Sequence, residues 1–318
     1  LHEPYRRQRQ MCIRDRYETL LKAFDRENEV FKKRVGKDRV MATYRARVRA
    51  RNHVAAFIKS FYRRSDMSML ELTPDFIKEF AAYLSTEAGL RNGSIWANCM
   101  WLKGVVMKAH YNGLIPRNPF IQFHISPNVK EREYLTEDEL KAVMTHEFAD
   151  SKLAYIRDIF IFASFTALSF VDIQELTNDN IVEVNGEKWI LSKRHKTKVA
   201  FQVKLLDIPL QIVERYRPMQ KDNRIFPGLN YWSICKPLKR MIRECGITKS
   251  ISFHCSRHGF ATLALSKGMP IESVSRVLGH TNIVTTQLYA KITTQKLDND
   301  LTMFGDKLSK TFNGITMS

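Results

Sequence analysis

Residues 251–291, ISFHCSRHGFATLALSKGMPIESVSRVLGHTNIVTTQLYAK, gather the side-chain types that phosphoryl transfer needs. His254 and Arg257 stand three positions apart, which on a helix puts both on one face. Leu278-Gly279-His280 reads as a helix stopped by glycine and followed by histidine, with Tyr289 nine residues after His280. A guanidinium fork can grip two oxygens of a phosphate, an imidazole can carry a proton, and a phenol can attack phosphorus. Taken singly, each residue has a structural reading: a surface His-x-x-Arg, a solvated histidine after a cap, a packed tyrosine ring. The ordered set points to a site.

Such a site needs a scaffold and a substrate. At 318 residues the chain is long enough for two domains with separate cores. Hydrophobic residues make up 44% and charged residues 26%, as in a globular protein, but the net charge of +18 is the footprint of a polyanionic partner. Nucleic acid fits better than membrane, since no apolar run approaches the roughly 18 residues of a spanning helix. The first residues are polar and arginine-rich, unlike a signal peptide. Cys12, Cys99, Cys235, Cys245 and Cys255 are odd in number and lack C-x-x-C spacing, so they read as reduced thiols of a cytosolic protein.

Residues 1–16 carry no helical stripe and are left unassigned as a tail or artefact. Apolar periodicity predicts helices at about 17–35, closed by Gly36, and 41–62. Thr73-Pro74-Asp75 opens a third helix and Ser94 is read as the cap of a fourth, ending near Asn112-Gly113. Between residues 32 and 64 there are twelve Lys or Arg and a single acid, Asp38. With so few acids for i,i+4 pairing, this run reads as a phosphate-facing helix, with Arg45, Arg47, Arg49 and Arg51 as its DNA contacts. Residues 17–120 thus form a helical domain, and the prolines at 116, 119 and 127 mark a linker over 121–133. A capping box at Thr136–Glu139 opens the next helix. The apolar segment 154–168 is a buried core helix, followed by a short helix near 171–176. The period then changes to alternation: IVEV, Asn185-Gly186, EKWILSK, a basic turn and VAFQVKLL predict a three-stranded antiparallel meander. Pro209 is read as ending the strands, with helices at 210–217 and 231–245. This second domain spans 134–300. A tail helix over 301–318 carries Leu301, Phe304 and Leu308 in line with Leu297, a stripe that suits either its own domain or a neighbouring subunit.

The set Phe253-His254-x-x-Arg257, Leu278-Gly279-His280 and Tyr289 resembles the tyrosine recombinase (phage integrase) family, and specifically integrases of conjugative transposons and related mobile elements. The resemblance covers about residues 17–305. It implies a mainly α protein, with a SAM-like helical core-binding domain and an α+β catalytic domain containing the small sheet. It also implies the mechanism. Tyr289 would attack the scissile phosphate to give a 3′-phosphotyrosine and a free 5′-hydroxyl, with Arg257 clamping the non-bridging oxygens. His254 would assist proton transfer and His280 would be a second donor. Lys196, in the turn between the second and third strands, matches the lysine that protonates the leaving oxygen; Lys198 competes for that role and is otherwise a DNA contact. The phosphotyrosine conserves the bond energy, so neither metal nor ATP is required.

One departure from the family pattern concerns a second arginine, which ordinarily follows Thr-Gly-Leu. Here the segment reads Thr166-Ala167-Leu168-Ser169, with Asp172 in the place of a downstream acid. Either the enzyme is crippled or another cation enters, and Arg194, two residues before Lys196, is the candidate. Arg194→Ala is then expected to abolish cleavage and Ser169→Ala to have little effect. By resemblance the protein acts on duplex DNA as a C-shaped clamp within a homotetramer, with an accessory DNA-bending protein as an optional partner, in the cytoplasm at the nucleoid. A topoisomerase-like relaxer and a catalytically impaired DNA-binding regulator are the alternatives. Whether an arm-binding domain precedes residue 17 stays open.

Overall fold

The apolar stripes ahead of the proline-rich stretch become helices packed by their buried faces. The computed structural model describes residues 18–127, 133–195, 198–220, 222–290 and 294–312. They divide into two compact units, Leu1–Lys130 and Glu131–Ser318.

The first unit contains α1 (Leu20–Lys32), α2 (Met41–Phe61), α3 (Pro74–Thr86) and α4 (Asn92–Tyr111). The Thr73 hydroxyl accepts from the Phe76 amide at 3.2 Å and Pro74 starts α3, as the cap signal predicts. Ser94 does not cap α4. The Arg91 carbonyl accepts from the Ser94 and Ile95 amides at 2.8 and 3.0 Å, so the backbone turns earlier, at Asn92. Phe24, Phe57, Phe76, Phe80 and Leu102 are fully buried between the helices.

The arginines of α2 do not form one row. A helix advances about 100° per residue, so positions two apart point to opposite sides. Arg47 turns inward, where its Nε donates to Asn28 Oδ1 at 3.0 Å and its guanidinium lies 5.1 Å from the Phe31 ring and 5.2 Å from the Trp101 ring. Arg51 makes two 2.8 Å bonds to Asp25 on α1. Arg45 and Arg49 are exposed on the other side.

In the second unit the capping box is present, with Thr136 and Glu139 exchanging bonds at the start of α5 (Glu137–Thr145). The core helix is α6 (Ser151–Thr166), followed by α7 (Phe170–Gln174). Strands β1 (Ile181–Val184), β2 (Glu187–Lys193) and β3 (Ala200–Lys204) pair antiparallel in that order. Asn185 (φ 53°) and Gly186 (φ 76°) make the tight turn between β1 and β2. Helix α8 (Asp207–Tyr216) begins before Pro209, which sits in its first turn, where a missing N–H costs no helix bond. Helices α9 (Tyr231–Glu244), α10 (His254–Ser266), α11 (Ile271–Leu278), α12 (Val284–Gln287) and α13 (Thr294–Thr311) complete the unit. Ile159, Phe162, Ile190, Phe201, Phe226 and Met241 share its main core. Leu297, Leu301, Phe304 and Leu308 of α13 are all exposed, so that stripe is not buried on its own unit. No helix among the described residues is long and apolar enough to cross a membrane.

Candidate active site

The site is organised by the C-terminal end of α11. Gly279 is left-handed (φ 64°), and the amides of Gly279 and His280 donate to the carbonyls of Arg276 and Ser275 at 3.0 Å each. That pattern satisfies two of the last helical carbonyls and leaves the next two, Val277 and Leu278, for other donors. Two arginines take them. Arg194 Nη2 donates to the Val277 carbonyl at 2.5 Å, and Arg257 Nη2 donates to the Leu278 carbonyl. Arg257 Nη1 also donates to the Ala167 carbonyl at 2.9 Å, at the left-handed end of α6 (φ 56°). The negative ends of two helix dipoles thus hold the positive charges.

Arg194 is 5% exposed and Arg257 8% exposed. Burial, and then the charge of neighbouring Arg194, push Arg257 down to about 10, so it remains protonated at neutral pH. Burial also lowers Arg194, against a raising contribution from Asp172. Arg194 leaves the end of β2, lies 4.0 Å over the Phe201 ring, and donates from Nη1 to Asp172 Oδ2 at 2.8 Å. Its Nε is buried with no hydrogen-bond partner among the described residues. A Cβ on Gly279 would come within 2.9 Å of that Nε, so glycine is needed there for the arginine's passage as well as for the backbone.

Asp172 ties α7 to the hairpin. Its Oδ1 accepts from the His195 amide at 3.0 Å, and its Oδ2 accepts from the Ser169 hydroxyl at 2.8 Å as well as from Arg194. Burial alone would raise Asp172, but these bonds outweigh it and hold the carboxyl below its ordinary range. Ser169 is the N-cap of α7 in a capping box with Asp172. It supplies no charge, yet it helps orient the carboxylate that Arg194 uses. The Arg194 amide donates to the Val199 carbonyl and the Lys198 amide to the Arg194 carbonyl, at 2.8 Å each, across the hairpin turn.

Tyr289 follows α12, with its ring against a small apolar cluster of Ala167, Ala261, Leu265, Val274 and Leu278. The His258 ring meets it edge-on at 5.0 Å, and the His280 ring lies nearly parallel to it at 6.5 Å. The charge of the Tyr289 phenolate would raise Arg257, against the burial that lowers it. His280 Nδ1 contacts the buried Thr286 hydroxyl at 2.8 Å. Burial first, then the charges of Arg257, Arg194 and His254, push His280 down to about 4, so the ring is neutral at pH 7. His254 is exposed at the start of α10, its ring 4.9 Å from that of His258.

Arg257, His254, His280, Tyr289 and Arg194 therefore come together around one helix end. Lys198 is exposed on the same turn as Arg194, with left-handed backbone (φ 57°). Lys196 lies outside the described residues. Sequence reading missed His258, although it sits one turn after His254 and directly after Arg257. It also missed Thr286, three residues before Tyr289 and fully buried. Chemically, two buried guanidiniums, one of them bonded to a carboxylate, can hold an anion.

A helical unit followed by a helix-and-sheet unit with this site defines a class of protein that comparison identifies. Residues 133–296 match the Phage integrase family and residues 19–125 match the phage integrase SAM-like domain. The chain belongs to the phage integrase family. It is 32% identical over 177 residues to Tyrosine recombinase XerA of Pyrococcus horikoshii, a match that spans 51% of this chain and 58% of that relative. It is 25% identical over 229 residues to Tyrosine recombinase XerC of Lactobacillus leichmannii, covering 67% of this chain and 77% of the relative. Among solved structures, the Tn1549 transposon integrase in complex with a circular intermediate DNA superposes with a TM-score of 0.74 at 17% identity, over 90% of this chain and 99% of that one. A lambda integrase dimer bound to a COC′ core site gives 0.66 at 18% identity, over 91% of this chain and 81% of that one. At these identities the likeness shows the fold.

Proposed function

We propose that the protein is a site-specific DNA recombinase that cleaves and rejoins duplex DNA through a 3′-phosphotyrosine on Tyr289. The observation that carries this reading is the pair of buried guanidiniums, Arg194 and Arg257, held on the consecutive carbonyls of Val277 and Leu278, with Leu278 part of the apolar cluster on which Tyr289 packs. Buried like charges at close range are unfavourable unless an anion joins them, and a phosphodiester is the anion a basic chain of net charge +18 would meet. As the Tyr289 oxygen bonds to phosphorus and the bond to the 5′-oxygen breaks, charge builds on the non-bridging oxygens. Arg257 and Arg194 stabilise it. Arg194 thereby replaces the arginine missing at Ser169.

The neutral His280 donates to the phosphate from Nε2 when the Thr286 hydroxyl donates to its Nδ1. His254 assists proton transfer, and Lys196 protonates the departing 5′-oxygen, with Lys198 as its competitor. Arg45 and Arg49 serve as phosphate contacts of the helical unit. Assembly as a tetramer on DNA is supported by a similar fold, lambda integrase, seen as a tetramer bound to a Holliday junction. The exposed apolar stripe of α13 supports it too, since a neighbouring copy would cover those side chains.

A duplex nicked just beyond the scissile phosphate, which releases the cleaved end, tests the chemistry. Wild type should accumulate a covalent protein–DNA adduct that Tyr289→Phe cannot form. Absence of an adduct from wild type on any target site would sink the reading. Supercoil relaxation without recombinant products would point instead to a relaxing enzyme.

A further inference from the structure

We propose that His258 is a positioning residue for the nucleophile: its ring is a wall that fixes the place and tilt of the Tyr289 ring. The proposal rests on the recombinase reading above and adds a residue to it. Helix α10 delivers three side chains within little more than one turn, His254, Arg257 and His258. Arg257 points into the buried end of α11, while the His258 ring contacts Tyr289 edge-on at 5.0 Å with the planes at 67°. His254 braces His258 in turn, edge-on at 4.9 Å and 83°. The His280 ring is the second neighbour, 6.5 Å from the Tyr289 ring and 15° from parallel to it. The phenol therefore has two imidazole neighbours over the apolar floor of Ala167, Ala261, Leu265, Val274 and Leu278.

The segment that carries Tyr289 needs such walls. Helix α12 has four residues, and Ile283, Val284 and Leu288 around it are exposed. The segment is anchored by the buried Thr286 and by the Tyr289 ring itself, packed on the apolar floor. Edge-to-face packing fixes a ring's tilt as well as its place, and the tilt decides where the hydroxyl points. Phosphoryl transfer is sensitive to that placement: a shift of about 1 Å can lower the rate roughly a hundredfold.

The test uses the full chain and three variants. His258→Ala should slow single-turnover adduct formation roughly tenfold to a hundredfold while DNA affinity stays unchanged, because misplacement acts on the bound complex. His258→Phe, which restores an edge without a proton to transfer, should recover most of the rate, and His258→Gln should not. A second readout removes the nucleophile from the reaction. In a Tyr289→Phe background, an oligonucleotide ending in a 3′-(p-nitrophenyl) phosphate is joined to a 5′-hydroxyl: the 5′-oxygen bonds to phosphorus and p-nitrophenolate leaves. The deficit of His258→Ala should vanish there, since no tyrosine has to be placed. Wild-type cleavage by His258→Ala would overturn the proposal. So would a His258→Phe variant as slow as His258→Ala, or an equal deficit in the joining reaction. A wild-type chain that forms no adduct would refute the recombinase reading instead, leaving the two failures distinct.

Discussion

Arg194 braces the hairpin in the structure, and the proposed mechanism gives it a second job, meeting a phosphate. The bracing is sizeable. Arg194 donates to Asp172 at 2.8 Å with both side chains nearly fully buried, so its loss strands a carboxylate at a cost of about 3–5 kcal/mol in folding stability. Loss of its stack on Phe201, 4.0 Å away, adds about 1–2 kcal/mol for a desolvated cation–π pair, although the two losses overlap. The catalytic share is the loss of one preorganised donor, roughly 10²–10³-fold in cleavage rate. A single variant cannot tell an unfolded site from a missing donor. The double variant Arg194→Ala with Asp172→Asn can, because it removes the stranded charge and should regain much of the stability. Melting curves report the first quantity and single-turnover adduct formation on a nicked duplex reports the second. The expected result is a double variant with a near-native melting transition and cleavage still down by at least roughly a hundredfold. If cleavage returned with stability, Arg194 would be a brace only and the replacement of the missing arginine would be refuted. Arg194→Lys should also fail, since a point charge cannot reach a carboxylate, a carbonyl and a phosphate in one plane.

Three further outcomes follow from the same geometry. Gly279→Ala should lower stability by about 1–2 kcal/mol from the left-handed backbone alone, and its Cβ, 2.9 Å from Arg194 Nε, should also slow cleavage; thermal melts and adduct yield check both. On α2, Arg49→Ala should leave stability unchanged and reduce the slope of log affinity against log salt by roughly 0.9, whereas Arg47→Ala should destabilise the helical unit; salt titrations paired with melts decide. For His280 the folded value of about 4 lies below the ordinary 6.5, so the unfolded chain binds the extra proton as pH falls through that window. Stability should therefore decline from about pH 6.5 toward pH 4, and His280→Gln should flatten that part of the curve; urea midpoints across pH measure it.

The parts of this fold that were legible in the sequence are those set by local signals. Thr73-Pro74 and the Thr136 capping box fixed helix starts because each satisfies backbone groups with its own side chain. Asn185-Gly186 fixed the first hairpin because both residues tolerate positive φ. Where a boundary depended on backbone alone, as at Arg91 and Leu206, the reading slipped by two or three residues. The four alternating arginines of α2 were read as a composition, and their periodicity was not applied. A turn of 100° per residue already separates Arg47 and Arg51 from Arg45 and Arg49. In the site, residue types were legible and contacts were not. His258 lacked a signal of its own, because ring-to-ring packing across α10 and the segment after α12 is a tertiary fact. Ser169 was read as a vacancy. The structure makes it the cap of α7 and a donor to Asp172, so Ser169→Ala removes both the cap and that donor.

That carboxylate explains why an arginine can sit on the hairpin without the site coming apart. The acceptors for the two guanidiniums are backbone carbonyls, Val277 and Leu278, exposed by the way Gly279 ends α11. Backbone acceptors do not depend on which strand or helix brings the donor. What the donor needs is a route and a counter-charge. The bare Gly279 gives the route, and Asp172, taking two bonds from the hairpin and two from Ser169, gives the charge. With serine at position 169 the start of α7 is free to form its capping box, which aims Asp172 at the hairpin. An arginine side chain there could not make that box and would compete for the same carboxylate. The serine and the hairpin arginine are thus joined through one carboxylate, which is the arrangement the proposed replacement of the missing arginine requires.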